Sequence, residues 1–201
     1  MSSFLQLLDP KSLISAFGTL GVIVIVFAET GLFFGFFFPG DSLLFTAGFF
    51  ASQGYLPIGW LFLGAFVAAV LGDSLGYAFG KKAGPALFVR EDSRFFKKEY
   101  AIRAQHFYEK HGGQTIITAR FIPVIRTFAP IVAGIGNMRY RSFLAWNVIG
   151  GLAWTVLLLG IGYGFGSIIP DPDRYILPAI IIIIVISALP ALRQIFKKRS
   201  A

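Results

Sequence analysis

Residues 57–80 read PIGWLFLGAFVAAVLGDSLGYAFG, a run whose one charge is Asp73. About 20 apolar residues in a helix cross a hydrocarbon layer roughly 30 Å thick, so this run predicts a transmembrane helix. Composition agrees. Of the 201 residues 56% are hydrophobic and 14% are charged, against about a quarter charged in an average soluble domain. A water-soluble globule of this size could not hide so much apolar surface, which excludes a soluble enzyme or nucleic-acid reader. There is no cysteine, hence no disulfide framework, thiol nucleophile or thiolate metal site.

Upstream of that run, residues 18–38 are apolar except for Glu29, and Pro39-Gly40-Asp41 interrupts them. Proline cannot continue a hydrogen-bonded turn and glycine permits a sharp bend. The piece that follows, 42–53, is too short to span. Residues 18–53 therefore read as a re-entrant helical hairpin, preceded at 2–15 by a short interfacial segment with no cleavable signal. Downstream, 81–111 holds eight basic and four acidic residues. There Phe96, Tyr100 and Phe107 share one helical face, as in an amphipathic helix on the membrane surface. Residues 113–138 are apolar again, carry Arg120 and Arg126, and are interrupted by Pro123 and Pro130. Residues 142–168 form a chargeless, glycine-rich span, Pro170-Asp171-Pro172-Asp173 an acidic turn, and 175–192 a last span.

Lys and Arg concentrate in cytoplasmic loops. With both termini, 81–111, Arg139 and Arg141 on that side, fifteen of the eighteen basic residues are cytoplasmic. The formal charge of +8 thus reflects topology rather than affinity for nucleic acid. The assignment makes 113–138 begin and end on the cytoplasmic side, so it too is a hairpin. Sliding the chain by 86 residues aligns Ala47-Gly48 with Ala133-Gly134, Trp60 with Trp146 and Gly64 with Gly150. Gly76-Tyr77 then meets Gly162-Tyr163, and Phe79-Gly80 meets Phe165-Gly166. The expected fold is all-α: one membrane domain over 1–201, built from two copies of re-entrant hairpin plus transmembrane helix (18–80 and 113–168). The copies run in opposite senses, are joined by the 81–111 connector, and are followed by the 175–192 span. Inverted repeats of broken helices place transporter sites near the bilayer midplane.

Glu29, Asp41, Asp73, Arg120 and Arg126 lie in or beside apolar segments. At about 2.5–3.5 kcal/mol each, they must pair, face water or lose charge. We expect the acids of the first hairpin, Glu29 and Asp41, to meet the arginines of the second. Three acids against two arginines leave one carboxylate in excess, and burial disfavours its charged form. Proton exchange there could couple transport to a proton gradient. Guanidinium forks match phosphate or carboxylate oxygens, and backbone N–H groups near Pro39 and Pro130 would add to them. The substrate is thus expected to be anionic, with phosphate the best match. Ser42 and Thr127 adjoin the site, and Asp73 either lines the cavity or packs helices. Trp154 reads as lipid-facing or core filler. His106 and His111 lack ligand-spaced partners, so no metal and no cofactor are expected. With no nucleophile elbow, an enzyme such as a lipid phosphatase is not expected. A proton-driven antiporter of small ions or solutes is the alternative. The oligomeric state stays open, a homo-oligomer included.

Three stretches carry a family resemblance: Phe37-Phe38-Pro39-Gly40-Asp41-Ser42-Leu43-Leu44, Gly72-Asp73-Ser74-Leu75-Gly76-Tyr77, and ARFIPVIRTFAPIVAG over 119–134. Across about residues 20–170 the chain resembles the DedA family, also called the SNARE-associated or VTT domain. The resemblance implies a multi-pass protein of the bacterial cytoplasmic membrane with opposed re-entrant hairpins. It implies a flippase for undecaprenyl phosphate that depends on the proton-motive force, with eukaryotic relatives acting as phospholipid scramblases. It assigns functional roles to Glu29, Asp41, Arg120 and Arg126.

Overall fold

A computed structural model describes residues 10–32, 40–88, 102, 106–108, 110 and 112–168. The N-terminal nine residues, Pro39, most of the connector, the acidic turn, the 175–192 span and the basic tail lie outside the described residues. Six helices follow in order: α1 (Pro10–Gly31), α2 (Gly40–Ser52), α3 (Ile58–Phe88), α4 (Gln114–Arg120), α5 (Pro123–Ile135) and α6 (Tyr140–Ile168).

Segments Ile58–Gly84 of α3 and Tyr140–Ile168 are long and apolar enough to cross a membrane. Along α3 the residues Trp60, Leu63, Val67, Leu71, Leu75 and Phe79 form an exposed stripe. Leu61, Ala65, Ala69, Asp73 and Tyr77 form a buried one on the other side. Both stripes follow the helical period of three to four residues. An exposed apolar stripe of this length suits lipid, since soluble monomers rarely show large apolar patches. At 1.5 Å per residue, α2 and α5 reach only about 20 Å and α4 about 10 Å, short of the roughly 30 Å apolar layer.

Local chemistry sets the boundaries. Pro10 and Pro123 open their helices, where no intrahelical N–H is required. Ile122 is extended (φ −115°, ψ 108°), as the residue before a proline prefers, and this parts α4 from α5. Asp41 lies in the first turn of α2, where a negative charge suits the helix dipole. After α2, Gly54 adopts φ +79°. Its N–H donates to Ala51 O, and the Tyr55 N–H donates to Phe50 O. After α5, Asn137 at φ 52° closes the helix in the same way, its N–H reaching Gly134 O and that of Met138 reaching Ala133 O. Both are Schellman ends, which use a left-handed residue to occupy the last carbonyls.

Several boundaries differ from the sequence expectation. α1 begins at Pro10, within the expected interfacial segment. α3 runs eight residues past 80, because Lys81, Lys82 and Ala83 are good helix formers. Pro130 lies inside α5 without breaking it; the interruption is at Phe121–Ile122, and Pro130 has no N–H to offer an anion. Prolines are tolerated within membrane helices where neighbouring groups satisfy the backbone. On the expected amphipathic face of the connector, Phe107 is exposed and its neighbour Tyr108 is buried.

The chain divides into two compact units. The first comprises Met1–Ile25, Phe37–Gly64 and Thr155–Ala201; the second comprises Val26–Phe36 and Ala65–Trp154. Within the first, α2 packs on the C-terminal half of α6 through glycines. A Cβ at Gly48 would strike the Leu159 backbone, one at Gly162 that of Phe45, and one at Gly166 would meet Phe49. The Gln53 amide donates to Gly166 O at 2.6 Å. Within the second, α5 packs on α3 in the same manner. A Cβ at Gly134 would strike Tyr77 O, one at Gly80 the Ile131 carbonyl, and one at Gly76 would touch Pro130. Gly48, Gly162 and Gly166 are the 86-residue counterparts of Gly134, Gly76 and Gly80. Thus the short helices α2 and α5 pack on the long helices α6 and α3, respectively, at glycines that the 86-residue shift aligns.

The second unit has a core of Tyr77, Tyr108, Ile116, Ala133 and Phe143. Tyr77 and Phe143 stack with ring centroids 4.6 Å apart, and the Tyr77 hydroxyl donates to Met138 O. Tyr108 donates to Ala129 O at 2.9 Å. Burial pushes its hydroxyl up to about 12, so it remains a donor at physiological pH.

Candidate functional site

The second unit collects four buried charges from four helices. Glu29 comes from the end of α1, Asp73 from the middle of α3, Arg120 from the last position of α4 and Arg126 from the first turn of α5. Their relative exposures run from 3% to 6%. The interruption between α4 and α5 is what turns two arginines six positions apart into one chamber. Arg126 Nη2 pairs with Glu29 Oε1, and Arg120 Nη2 pairs with Asp73 Oδ2.

α6 supplies the support. Arg120 Nη2 also donates to Asn147 Oδ1 at 2.6 Å, and Asn147 Nδ2 donates to Val70 O at 3.0 Å. Asn147 is fully buried, so its amide orientation is fixed at both ends. The Trp154 ring lies 5.0 Å from the Arg126 guanidinium and 5.9 Å from that of Arg120. Both distances fall within cation–π range. Gly150 and Gly151 leave room for Arg120: a Cβ at Gly151 would stand 3.2 Å from Nη1 and one at Gly150 3.6 Å from Nε.

Thr30, Asp73, Arg120, Arg126, Pro130 and Trp154 line a common cavity of about 10 Å³, roughly the room one water needs. Among the described residues, Glu29 Oε2 and Arg120 Nη1 are buried without a hydrogen-bond partner. Leaving such groups unpaired is costly, and here they belong to the two ion pairs. The chamber therefore holds two acids against two arginines, with a spare acceptor at Glu29 and a spare donor at Arg120.

The expected meeting of front-half acids with back-half arginines is present in altered form. Glu29 takes Arg126, whereas Arg120 is taken by Asp73. Asp73 lines the cavity and also ties α3 to α4 through Arg120, so its position fits both sequence readings. Asp41 and Ser42 are half-buried in α2 and belong to the first unit. Thr127 is buried but is not on the cavity wall, and its hydroxyl has no partner among the described residues. Trp154 is neither lipid-facing nor mere filler, because it carries both guanidinium groups on its ring. Asn147 escaped notice in the sequence, although an amide in the otherwise chargeless 142–168 run was a usable signal. His106 is exposed, His111 lies outside the described residues, and no described group of three His, Cys, Asp or Glu could hold a metal ion.

Residues 38–164 match the VTT domain. The chain is 45% identical over 182 residues to Protein DedA of Escherichia coli K12, covering 90% of this chain and 83% of that protein. It belongs to the DedA family. Another relative in this family is an uncharacterized membrane protein of Mycobacterium tuberculosis, 44% identical over 195 residues, with 93% of this chain and 85% of the relative covered. A third is Inner membrane protein YqjA of Escherichia coli K12, 34% identical over 146 residues, with 73% and 66% covered. No solved structure matches significantly. This DedA-family chain is accordingly a membrane protein, and two of its described helices are long and apolar enough to cross a membrane.

Proposed function

We propose that the chain is a membrane transporter, a flippase that carries an anionic lipid phosphate across the bacterial cytoplasmic membrane and is coupled to protons. Undecaprenyl phosphate is the foremost substrate. The observation that carries this reading is a pair of arginines, each at least nine-tenths buried and each matched by one carboxylate, on one cavity. Buried ionisable groups in a membrane are costly and mark pathways for ions, protons or charged substrates. Guanidinium forks grip phosphate oxygens bidentately. A lipid phosphate needs a polar route for its headgroup alone, since its tail stays in lipid; that suits a short chain.

In this reading the chain acts as a carrier and not as an enzyme, for the cavity walls present guanidinium, carboxylate, hydroxyl and indole groups. Proline, alanine and isoleucine complete them. Helices α1–α2 and α4–α5 are the two re-entrant hairpins, and the copies are inverted, with both termini and 81–111 cytoplasmic. The equivalent glycine packing in the two units supports the repeat, and the Lys and Arg distribution supports the orientation. At about 10 Å³ the cavity does not admit a phosphate, so carriage requires the helices around it to part. A proton-driven antiporter of small ions would use the same charges, and liposomes separate the readings. With the purified chain reconstituted and labelled undecaprenyl phosphate placed in one leaflet, a flippase moves label to the other leaflet. Release of inorganic phosphate would indicate a phosphatase. Proton flux driven by small ions, without lipid movement, would indicate the antiporter.

A further inference from the structure

We propose that Asp73 is a proton-operated latch on Arg120: when Asp73 takes a proton, Arg120 passes to the substrate anion, and when it releases the proton, it takes Arg120 back. This deepens the proposed anion carriage and rests on it. Arg120 Nη2 already serves two acceptors, Asp73 Oδ2 and Asn147 Oδ1, so a phosphate can claim that edge of the fork only if a ligand leaves. Asn147 is the fixed partner, tied to Val70 O and neutral at every pH. Asp73 can lose its charge and with it most of its hold on a guanidinium. Arg120 Nη1 already stands buried without a hydrogen-bond partner among the described residues, so an anion there finds one donor waiting and gains a second when Asp73 lets go.

The surroundings favour exchange over release. α1 supplies Glu29, bound to Arg126; α4 supplies Arg120; α5 supplies Arg126; α6 supplies the neutral Asn147 and Trp154. With Asp73 protonated and no anion present, Arg120 would keep an unbalanced charge in a cavity about one water wide. Proton and anion therefore arrive together, and a single carboxylate accounts for one proton per anion gripped. Trp154, 5.9 Å from the Arg120 guanidinium, can hold that group in place while its partner changes. Glu29 keeps its own pair throughout, so Asp73 adds a proton step distinct from any at Glu29.

The test is binding of farnesyl monophosphate to the full-length chain in detergent micelles, wild type against Asp73→Asn, between about pH 6 and pH 8. The probe's own second ionisation, near pH 6, is common to both proteins and cancels in the ratio of their affinities. The latch predicts near-equal affinities at the acid end and an advantage for Asp73→Asn that grows by up to about tenfold per pH unit. Asp73→Glu should restore the wild-type slope. A ratio constant with pH overturns the latch while leaving the anion site standing; no wild-type binding at any pH removes both. Should Asp73→Asn not fold, wild type alone decides. With aspartate carboxyl groups carrying carbon-13, adding the probe should produce a protonated-carboxyl infrared band with the aspartate isotope shift. Absence of that band overturns the proposal.

Discussion

Neutralising one member of the Glu29–Arg126 pair should cost far more than neutralising both. Glu29 is 3% exposed and Arg126 6%, so neither charge has water to fall back on. Glu29→Gln removes the counter-charge of a buried guanidinium, a loss of about 3–5 kcal/mol for a broken buried pair. The glutamine carbonyl still accepts a hydrogen bond from Arg126, and bonds to charged groups are worth about 1.5–3 kcal/mol. The net expectation is destabilisation of about 2 kcal/mol. Arg126→Gln strands the carboxylate in the same way and should cost at least as much. The double variant buries no charge and joins two amides that can bond each other, so its stability should return to within about 1 kcal/mol of wild type. The coupling energy is then at least about 3 kcal/mol, well beyond the additivity seen for independent sites. Unfolding of the detergent-solubilised chain in rising dodecyl sulfate, run as a four-member cycle, measures it. All three variants should lose transport, the double variant included. Single variants as stable as wild type, or a double variant as unstable as the sum of the singles, would refute the claim that these charges are desolvated partners.

The glycine contacts make a steric prediction. Gly134→Ala places a methyl group against Tyr77 O and 2.7 Å from Lys81 N, forcing α5 off α3, and should destabilise by at least the roughly 1–3 kcal/mol of core overpacking. Gly160→Ala meets nothing within 4 Å and should be neutral or stabilising by about 0.5–1 kcal/mol; the same unfolding assay compares them. Asn147→Ala removes one acceptor from Arg120 and a donor to Val70 O, with an expected cost of about 1–3 kcal/mol and slower lipid movement in proteoliposomes.

The two long apolar helices were legible because their apolar runs are long and carry at most one charge, and the ion-pair residues because charges stand out against such runs. Partner choice was not legible. Which carboxylate meets Arg120 depends on how far α3 is rotated about its axis, and residue spacing along one chain does not set the rotation of one helix against another. Trp154 gave no signal, since an aromatic in an apolar run looks the same whether it faces lipid or a guanidinium. Asn147 did give one, as an amide among apolar neighbours with no evident reason to be there. Pro130 was misplaced as a break because proline is a strong breaker in water, whereas in this helix the neighbours tolerate it. The glycine spacing in the 86-residue alignment was a further signal, since the matched pairs Gly48/Gly134, Gly76/Gly162 and Gly80/Gly166 lie where α2 packs on α6 and α5 on α3.

If Arg120 and Arg126 hold the travelling headgroup, the reconstituted Arg120→Lys/Arg126→Lys double variant should not carry labelled undecaprenyl phosphate from leaflet to leaflet. Lysine keeps both charges but cannot present a planar fork. The double variant should insert in wild-type amounts and move lipid no faster than empty liposomes do, beside rapid movement by wild type. Movement at the wild-type rate by the lysine variant would contradict that role of the two arginines.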